Sequence, residues 1–154
     1  MELSTLAPPR LGLSTDNVFR VNPMLPLSTG PDVPGRVDSD GELRTLGLEL
    51  RAIIEGDRLK PHFQAILDLR TGRMHGFEGL IRGPSDSLLH APLNLFKVAL
   101  LTGQVVALEA ACCRSLMRGF KASGQPGKLF LNISPGSLAE SAFISLFHPE
   151  ALRE

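Results

Sequence analysis

The sequence is poor in cysteine, has no excess of either charge and contains no long run of apolar residues. Its two cysteines, Cys112 and Cys113, are adjacent in a helical pattern, so they point in different directions and favour neither a disulfide framework nor a metal-binding knuckle. We expect both to be buried thiols. Sixteen basic residues balance sixteen acidic ones, which argues against a nucleic-acid polymer or an anionic membrane surface as partner. A charged ligand would therefore need a local site.

Membrane-spanning and secretory segments are also missing from the sequence. The apolar runs are only a few residues long, and the N-terminus lacks the basic-then-apolar order of a secretory signal. We therefore expect a cytoplasmic protein with no membrane partner. The length of 154 residues, of which 43% are hydrophobic, is enough for the core of one ordinary domain.

The chain divides into a leader and a folded part. Residues 1–38 are rich in proline, serine, threonine and glycine and lack a sustained period of 2 or 3.6 residues, which predicts a flexible leader. Residues 39–57 predict an amphipathic helix, because Ser39 and Glu42 have the spacing of a capping box. The apolar residues of this helix follow at helical intervals: Leu43, Leu46, Leu50, Ile53 and Ile54. Residues 58–154 form the rest of the folded part.

A β-hairpin is predicted after this helix. Its strands are the runs HFQAILDL at 62–69 and MHGFEGLIR at 74–82, with a short turn around Thr71 and Gly72 between them. A link this short forces the two strands to be antiparallel.

Two helices separate the hairpin from a third strand. Pro92 fits the first turn of a helix that ends at Gly103, and an apolar stripe over 105–120 indicates a second helix. The run KLFLNIS at 128–134 is typical of a buried strand. A strand, two helices and a strand form a crossover, which needs a parallel partner. Residues 135–147 begin another helix, so an α/β layout starts and does not close.

Polar side chains interrupt these apolar strands. Because side chains alternate across a strand, Glu78 and Arg82 lie on one face. One interpretation is a salt bridge of Glu78 with Arg82 or Lys128 at a sheet margin, which would say little about function. Asn132 and Gln64, in two other strands, also place polar groups in apolar runs. Three neighbouring strands with such groups favour a ligand site at one mouth of a sheet or barrel.

Several short segments together resemble a known family. FQAI, EGLIR, PLNLF, ALE and LFLNIS follow one another between Leu59 and Pro135. They are similar to F-Q-P-I, E-A-L-I-R, a P-x-x-F helix, the L-E of the next helix and L-x-V-N-x-S in the front part of the EAL domain, the bacterial module that linearises cyclic di-GMP. The resemblance implies a (β/α)8 TIM-like barrel that begins with an antiparallel hairpin, and a metal-dependent phosphodiesterase of signal transduction.

The resemblance also implies roles for the polar residues. Glu78 and Asn132 stand at the positions of two metal ligands of the family, and both offer the oxygen atoms that Mg²⁺ or Mn²⁺ prefers. Arg82 stands where the family's arginine meets a phosphate of cyclic di-GMP, a task that suits its planar fork of donors. Gln64 matches a glutamine that lines the nucleotide site, and Leu80 fits the leucine beside it.

Other positions in the matched region have less direct implications. Glu109 matches the L-E of the family pattern, and we predict a structural role for it because a helix that covers a barrel lies away from the mouth. Gly79 replaces the alanine of E-A-L, and Ala65 replaces the proline of F-Q-P-I. A glycine within a strand lowers the stability of the fold by roughly 0.5–1 kcal/mol relative to alanine. Neither change removes a ligand.

The matched region ends well before a barrel would close. An eight-stranded barrel takes about 250 residues, and the family's E-x-T-E and D-D-F-G segments, with their catalytic carboxylates, do not occur in this sequence. We therefore expect a truncated EAL domain, an incomplete barrel with no complete set of catalytic residues. Its open strand edges would invite self-association.

Two functions remain open on the sequence alone. In the first, the chain is the front of a cyclic di-GMP phosphodiesterase whose intact parent forms pGpG, while the chain itself is inactive. In the second, it is a catalytically inactive module that binds nucleotide or a protein partner.

Overall fold

The computed structural model describes residues 19–21 and 40–147. Apart from one short strand, the leader predicted for residues 1–38 lies outside the described residues, and so does the end of the folded part at 148–154. Within these residues, none of the helices has the length and apolar composition needed to cross a bilayer. In chain order the elements are β1 (Phe19–Val21), α1 (Asp40–Glu55), β2 (Lys60–Asp68), β3 (Arg73–Arg82), α2 (Pro92–Leu101), α3 (Val105–Ser123), β4 (Lys128–Ile133), α4 (Pro135–Leu138), α5 (Ser141–Ile144) and a 3-10 turn (Ser145–Phe147).

The hairpin of β2 and β3 is antiparallel, as its short link predicts. Gly72 adopts a positive φ of 66° in the turn, and its N–H donates to the carbonyl of Asp68 at 2.7 Å. The Asp68 carboxylate accepts hydrogen bonds from the hydroxyl of Thr71 at 2.8 Å and from the N–H of Arg70 at 2.9 Å. These two bonds hold the pKa of Asp68 below its usual value. The turn is therefore fixed by its own residues.

The four strands form one sheet in the order β1-β4-β3-β2. β3 and β4 are parallel, with Gly76 opposite Lys128 and Glu78 opposite Phe130. α2 and α3 make the connection between these two strands, so the predicted crossover and its parallel partner are confirmed. β1 pairs in parallel with the outer edge of β4, which the sequence did not predict.

One face of the sheet packs against the helices. Leu129, Leu131 and Ile133 of β4 are buried there. On β3, Phe77 contacts Phe120 of α3, with ring centroids 5.7 Å apart. This leaves the alternate residues of each strand on the opposite face, away from the helices. The largest buried aliphatic side chains of the helical layer are Leu50 and Ile53 in α1, Leu95 in α2 and Leu108 in α3.

Packing on the helix-covered face explains why residue 79 is a glycine. A Cβ atom at this position would lie 3.0 Å and 3.1 Å from the two terminal methyl carbons of Leu116 in α3. Such a contact is too close for a methyl group, so the Leu116 side chain would have to move. Leu116 thus occupies the space that the alanine of the family pattern would use.

The segment after β4 differs from the single helix expected over 135–147. It forms two helices of four residues each, α4 and α5, followed by the 3-10 turn. Ser134 caps α4 with Pro135 at its first position, and Glu140 then adopts an extended ψ of 118° that interrupts the helix.

Cys112 and Cys113 are buried in α3, as expected. Burial raises the pKa of Cys113 to about 12 and also raises the pKa of Cys112 above its usual value. The folded chain therefore holds both thiols protonated at a pH where the unfolded chain would ionise them.

A fall in stability at alkaline pH is the first prediction. Above the ordinary thiol pKa of 9.0, the unfolded state binds fewer protons than the folded state, so the free energy of unfolding decreases as pH rises. Each thiol contributes a slope of up to ~1.4 kcal/mol per pH unit. Urea unfolding one pH unit below and one pH unit above 9.0 would measure this change in the free energy of unfolding. A Cys112→Ala/Cys113→Ala chain that keeps the same slope would contradict this explanation.

Candidate functional site

Glu78 and Asn132 are brought together on the face of the sheet that the helices do not cover. The Nδ2 of Asn132 donates a hydrogen bond to Oε1 of Glu78 at 2.8 Å. The contact follows from the parallel register, because Glu78 is opposite Phe130 and Asn132 is two residues further along the same face of β4. Glu78 is half-buried and Asn132 is exposed, so a ligand from solvent can reach the pair.

The hairpin places Gln64 beside this pair. Gln64 is directly opposite Glu78 in the antiparallel register and therefore shares its face. Leu80 is opposite His62, and Arg82 is opposite Lys60. Gln64 is exposed, whereas Leu80 and Arg82 are half-buried. The five residues predicted for the site, Gln64, Glu78, Leu80, Arg82 and Asn132, thus lie on one face of three neighbouring strands.

Arg82 is not paired with a carboxylate in the part of the chain that the structure describes. Its Nη1 donates to the carbonyl oxygen of Ile81 at 2.8 Å. Glu78 is bonded to Asn132 and forms no ion pair with Arg82 or Lys128 among the described residues. The salt-bridge interpretation of Glu78 is therefore not what the fold adopts. A guanidinium has five N–H donors, so most of this fork can still bind an anion.

The segment after Arg82 closes on itself and fixes the end of β3. The N–H of Gly83 donates to the carbonyl of His90 at 3.0 Å, and Nδ1 of His90 lies 3.0 Å from the carbonyl oxygen of Gly83. Ser87 donates its hydroxyl to Oε1 of Glu49 in α1 at 2.5 Å, which ties the same loop to the helical layer. The sequence does not mark His90, because no pattern indicates a single histidine that closes a loop.

Glu109 links α3 to the end of β4. Only 6% of it is exposed, and its carboxylate accepts hydrogen bonds from the backbone N–H of Ser134 at 3.2 Å and from the Ser134 hydroxyl at 3.0 Å. The same hydroxyl accepts from the N–H of Ser137 and so caps α4. Ser134 is two residues after Asn132, so Glu109 helps to fix the strand end that presents the candidate ligand. The sequence indicated a structural role for Glu109 but not its partner.

Loss of the Glu109 carboxylate is expected to destabilise the domain. Glu109→Ala leaves the N–H and hydroxyl of Ser134 without their buried acceptor, and a hydrogen bond to a charged group is worth about 1.5–3 kcal/mol. Urea unfolding would measure the change. Glu140→Ala is the matched control, because Glu140 is exposed and makes no side-chain cap bond in α5. Equal loss of stability in the two variants would show that Ser134 does not depend on Glu109.

The Glu78–Asn132 pair fits a hard divalent cation in part. Their hydrogen bond uses Oε1 of Glu78 and Nδ2 of Asn132, so Oε2 and Oδ1 remain as oxygen atoms of the type that a hard cation binds. No group of three or more His, Cys, Asp or Glu side chains that could hold a metal occurs within residues 40–147. Mg²⁺ is commonly bound through only one or two carboxylates of a protein, and it keeps several waters or phosphate oxygens as its other ligands. Two oxygen ligands therefore suit an ion that is shared with a phosphate ligand.

Comparison with known sequences shows to which family the chain belongs. The sequence model of the EAL domain matches residues 48–154, which include the hairpin, the crossover and β4. The chain belongs to the EAL domain family. This confirms the resemblance carried by EGLIR and LFLNIS, and it places the chain in a family of cyclic di-GMP signalling proteins with a TIM-barrel-like α/β fold. No curated protein matches the chain.

Two solved structures have a similar fold. Both are the S helix-GGDEF-EAL part of LapD from Vibrio cholerae, one apo and one bound to c-di-GMP. The apo structure is 15% identical over 73% of this EAL chain with a TM-score of 0.56, and the bound structure is 16% identical over 74% with a TM-score of 0.56. This chain covers 27% of the length of each. At such identities the similarity concerns the fold alone.

Proposed function

We propose that this chain supplies part of the cyclic di-GMP site of a metal-dependent phosphodiesterase, as the front of an eight-stranded EAL barrel. In this proposal Glu78 and Asn132 hold Mg²⁺ or Mn²⁺, Arg82 binds a phosphate, and Gln64 and Leu80 line the nucleotide site. The observation that carries the proposal is the 2.8 Å contact between Glu78 and Asn132 on the accessible face of the sheet. A carboxylate and an amide from separate strands meet there, beside a glutamine at the paired register position, and each of the two also carries an oxygen that a hard cation can bind.

Each side chain has a task that follows from its chemistry. Glu78 provides the one negative charge of the pair, and Asn132 would offer Oδ1 to the cation in exchange for its hydrogen bond from Nδ2. The half-buried Arg82 keeps most of its donors for a phosphate, to which a guanidinium binds in a bidentate manner. When bound, the cation would polarise a phosphate oxygen and neutralise charge that develops there. Hydrolysis of cyclic di-GMP to pGpG is the activity that we propose for a complete barrel.

Calorimetric titration with cyclic di-GMP tests this assignment. We expect binding to the chain that strengthens when Mg²⁺ or Mn²⁺ is present. Glu78→Gln removes the charge and should weaken cation-dependent binding at least ~10-fold, about 1.4 kcal/mol. Arg82→Lys keeps the charge but loses the fork, so it should weaken binding with and without the cation.

A control separates these effects from general changes in charge. Glu140→Gln removes one exposed carboxylate at the N-cap of α5, which makes no side-chain cap bond and is not one of the five candidate site residues, and it should bind like the unmodified chain. If all the variants bind cyclic di-GMP as the unmodified chain does, or if the unmodified chain binds none with the cation present, the proposed site is wrong.

A further inference from the structure

β4 has different neighbours along its two halves. β3 pairs with its first half, where Glu78 is opposite Phe130. β1 pairs with its second half on the other edge, where Arg20 is opposite Asn132 and Val21 is opposite Ile133. The three residues of β1 therefore contact the stretch of backbone that carries the candidate metal ligand Asn132.

The position of β1 is the position that a closed barrel gives to another strand. In a TIM-like barrel every strand has two neighbours, and successive strands after a crossover are parallel. The edge of β4 away from β3 is thus the place for the strand that follows β4. No such strand occurs after β4 within residues 40–147, and β1 pairs with this edge in the same parallel direction.

An unpaired edge of β4 would be a liability for the domain. Strand edges expose rows of N–H and C=O groups that pair readily with other chains. The edge accepts any extended segment through backbone hydrogen bonds, largely independently of sequence. A segment of the same chain has an advantage over a separate molecule, because its attachment gives it a high local concentration.

We infer that residues 19–21 are an intramolecular edge strand. It pairs with the edge of β4 that the next strand of a complete barrel would occupy. β1 and any strand that extends the sheet beyond β4 therefore compete for one set of backbone groups. Because β1 has only three residues, it can be displaced by a longer strand. This inference rests on backbone pairing and does not depend on nucleotide binding.

Amide hydrogen exchange of the full chain tests the pairing. Arg20→Pro/Val21→Pro removes two adjacent N–H groups, and alternate residues of a strand bond to a given neighbour, so at least one ladder donor is lost. Arg20→Ala/Val21→Ala keeps both N–H groups and is the matched control. We expect at least ~10-fold faster exchange in β4 peptides of the proline variant, with no change in the alanine variant and none in α3. Equal exchange in all three chains would overturn the inference.

A disulfide test shows whether β1 belongs to the same molecule, and it keeps the inference testable if the proline variant does not fold. Adjacent strands are about 4.8 Å apart, so Arg20→Cys and Asn132→Cys stand within disulfide reach at their shared register position. The buried Cys112 and Cys113 are replaced by alanine. We expect the oxidised chain to be a disulfide-closed monomer on a non-reducing gel. A disulfide-linked dimer would show exchange of β1 between two copies, and absence of a disulfide would show no pairing; either result overturns the inference.

Discussion

Gly83→Ala is expected to destabilise the domain by about 3 kcal/mol or more, at the upper end of what overpacking usually costs. Gly83 follows β3 directly, and a Cβ atom there would overlap the carbonyl oxygen of Leu89 and lie 2.9 Å from its carbonyl carbon. His90 is also close, since its Cα would be 3.3 Å away. All three atoms belong to the backbone, so no side-chain rotation can relieve the contact. The loop would have to open and release the bonds between Gly83 and His90.

Urea unfolding would measure the effect, with Gly136→Ala as the matched control. The Cβ of Gly136 would have only the Ser134 hydroxyl within range, at 4.0 Å. Alanine is also the better helix former, so this control should leave stability unchanged or raise it slightly. If Gly83→Ala behaves like the control, the loop is not closed in the way described, and the end of β3 beside Arg82 is not fixed by it.

Local patterns in the sequence were sufficient to predict the hairpin and the crossover. Period-2 alternation and a short turn define β2 and β3, and their observed bounds differ from the predicted ones by at most two residues. Pro92 begins α2 because proline suits the first helical position. The parallel partner of β4 follows from connectivity, since a crossover through two helices returns the chain in the same direction.

Interactions between distant parts of the chain were not predictable in the same way. β1 has three residues, too few for a period, and it is a strand because β4 offers an edge to it. Residues 135–147 contain helix-forming stretches, yet Glu140 is extended and Phe143 is buried, so tertiary packing divides them. Neither feature follows from local preference.

The candidate site was predictable as a set of positions but not as a set of bonds. Alternation along β3 puts Glu78 and Arg82 on one face, and Gln64 and Asn132 stand out as polar residues in the apolar runs of two other strands. The hydrogen bond from Asn132 to Glu78 depends on the register of β3 and β4, which no local pattern fixes. Glu109 illustrates the same limit, because its partner Ser134 lies 25 residues further along the chain. These bonds could not be predicted because the bonded residues are far apart in sequence, not because their chemistry is unusual.

The 154-residue chain with Mg²⁺ or Mn²⁺ is expected to leave cyclic di-GMP intact, whatever its affinity for the nucleotide. Hydrolysis at a two-metal site needs ligands that hold the ions about 3.5–4 Å apart. Glu78 is the single carboxylate of the candidate site, its partner Asn132 is neutral, and neither E-x-T-E nor D-D-F-G occurs in the sequence. Among the residues that the structure describes, the candidate site therefore offers ligands for one ion at most and no second carboxylate to serve as general base.

Appending the downstream strands of a complete EAL barrel should recover pGpG formation, which chromatography of the products would detect. In that longer protein Glu78→Ala should lower turnover roughly 10²-fold or more, because it removes the charged ligand of a cation whose polarisation of a phosphate oxygen is worth several kcal/mol. Glu140→Ala in the same protein controls for the loss of a carboxylate outside the site. Turnover by the unextended chain that disappears in its own Glu78→Ala variant would exclude a contaminant. That result would mean that Glu78 and Asn132 suffice for catalysis and that the requirement for further carboxylates is wrong.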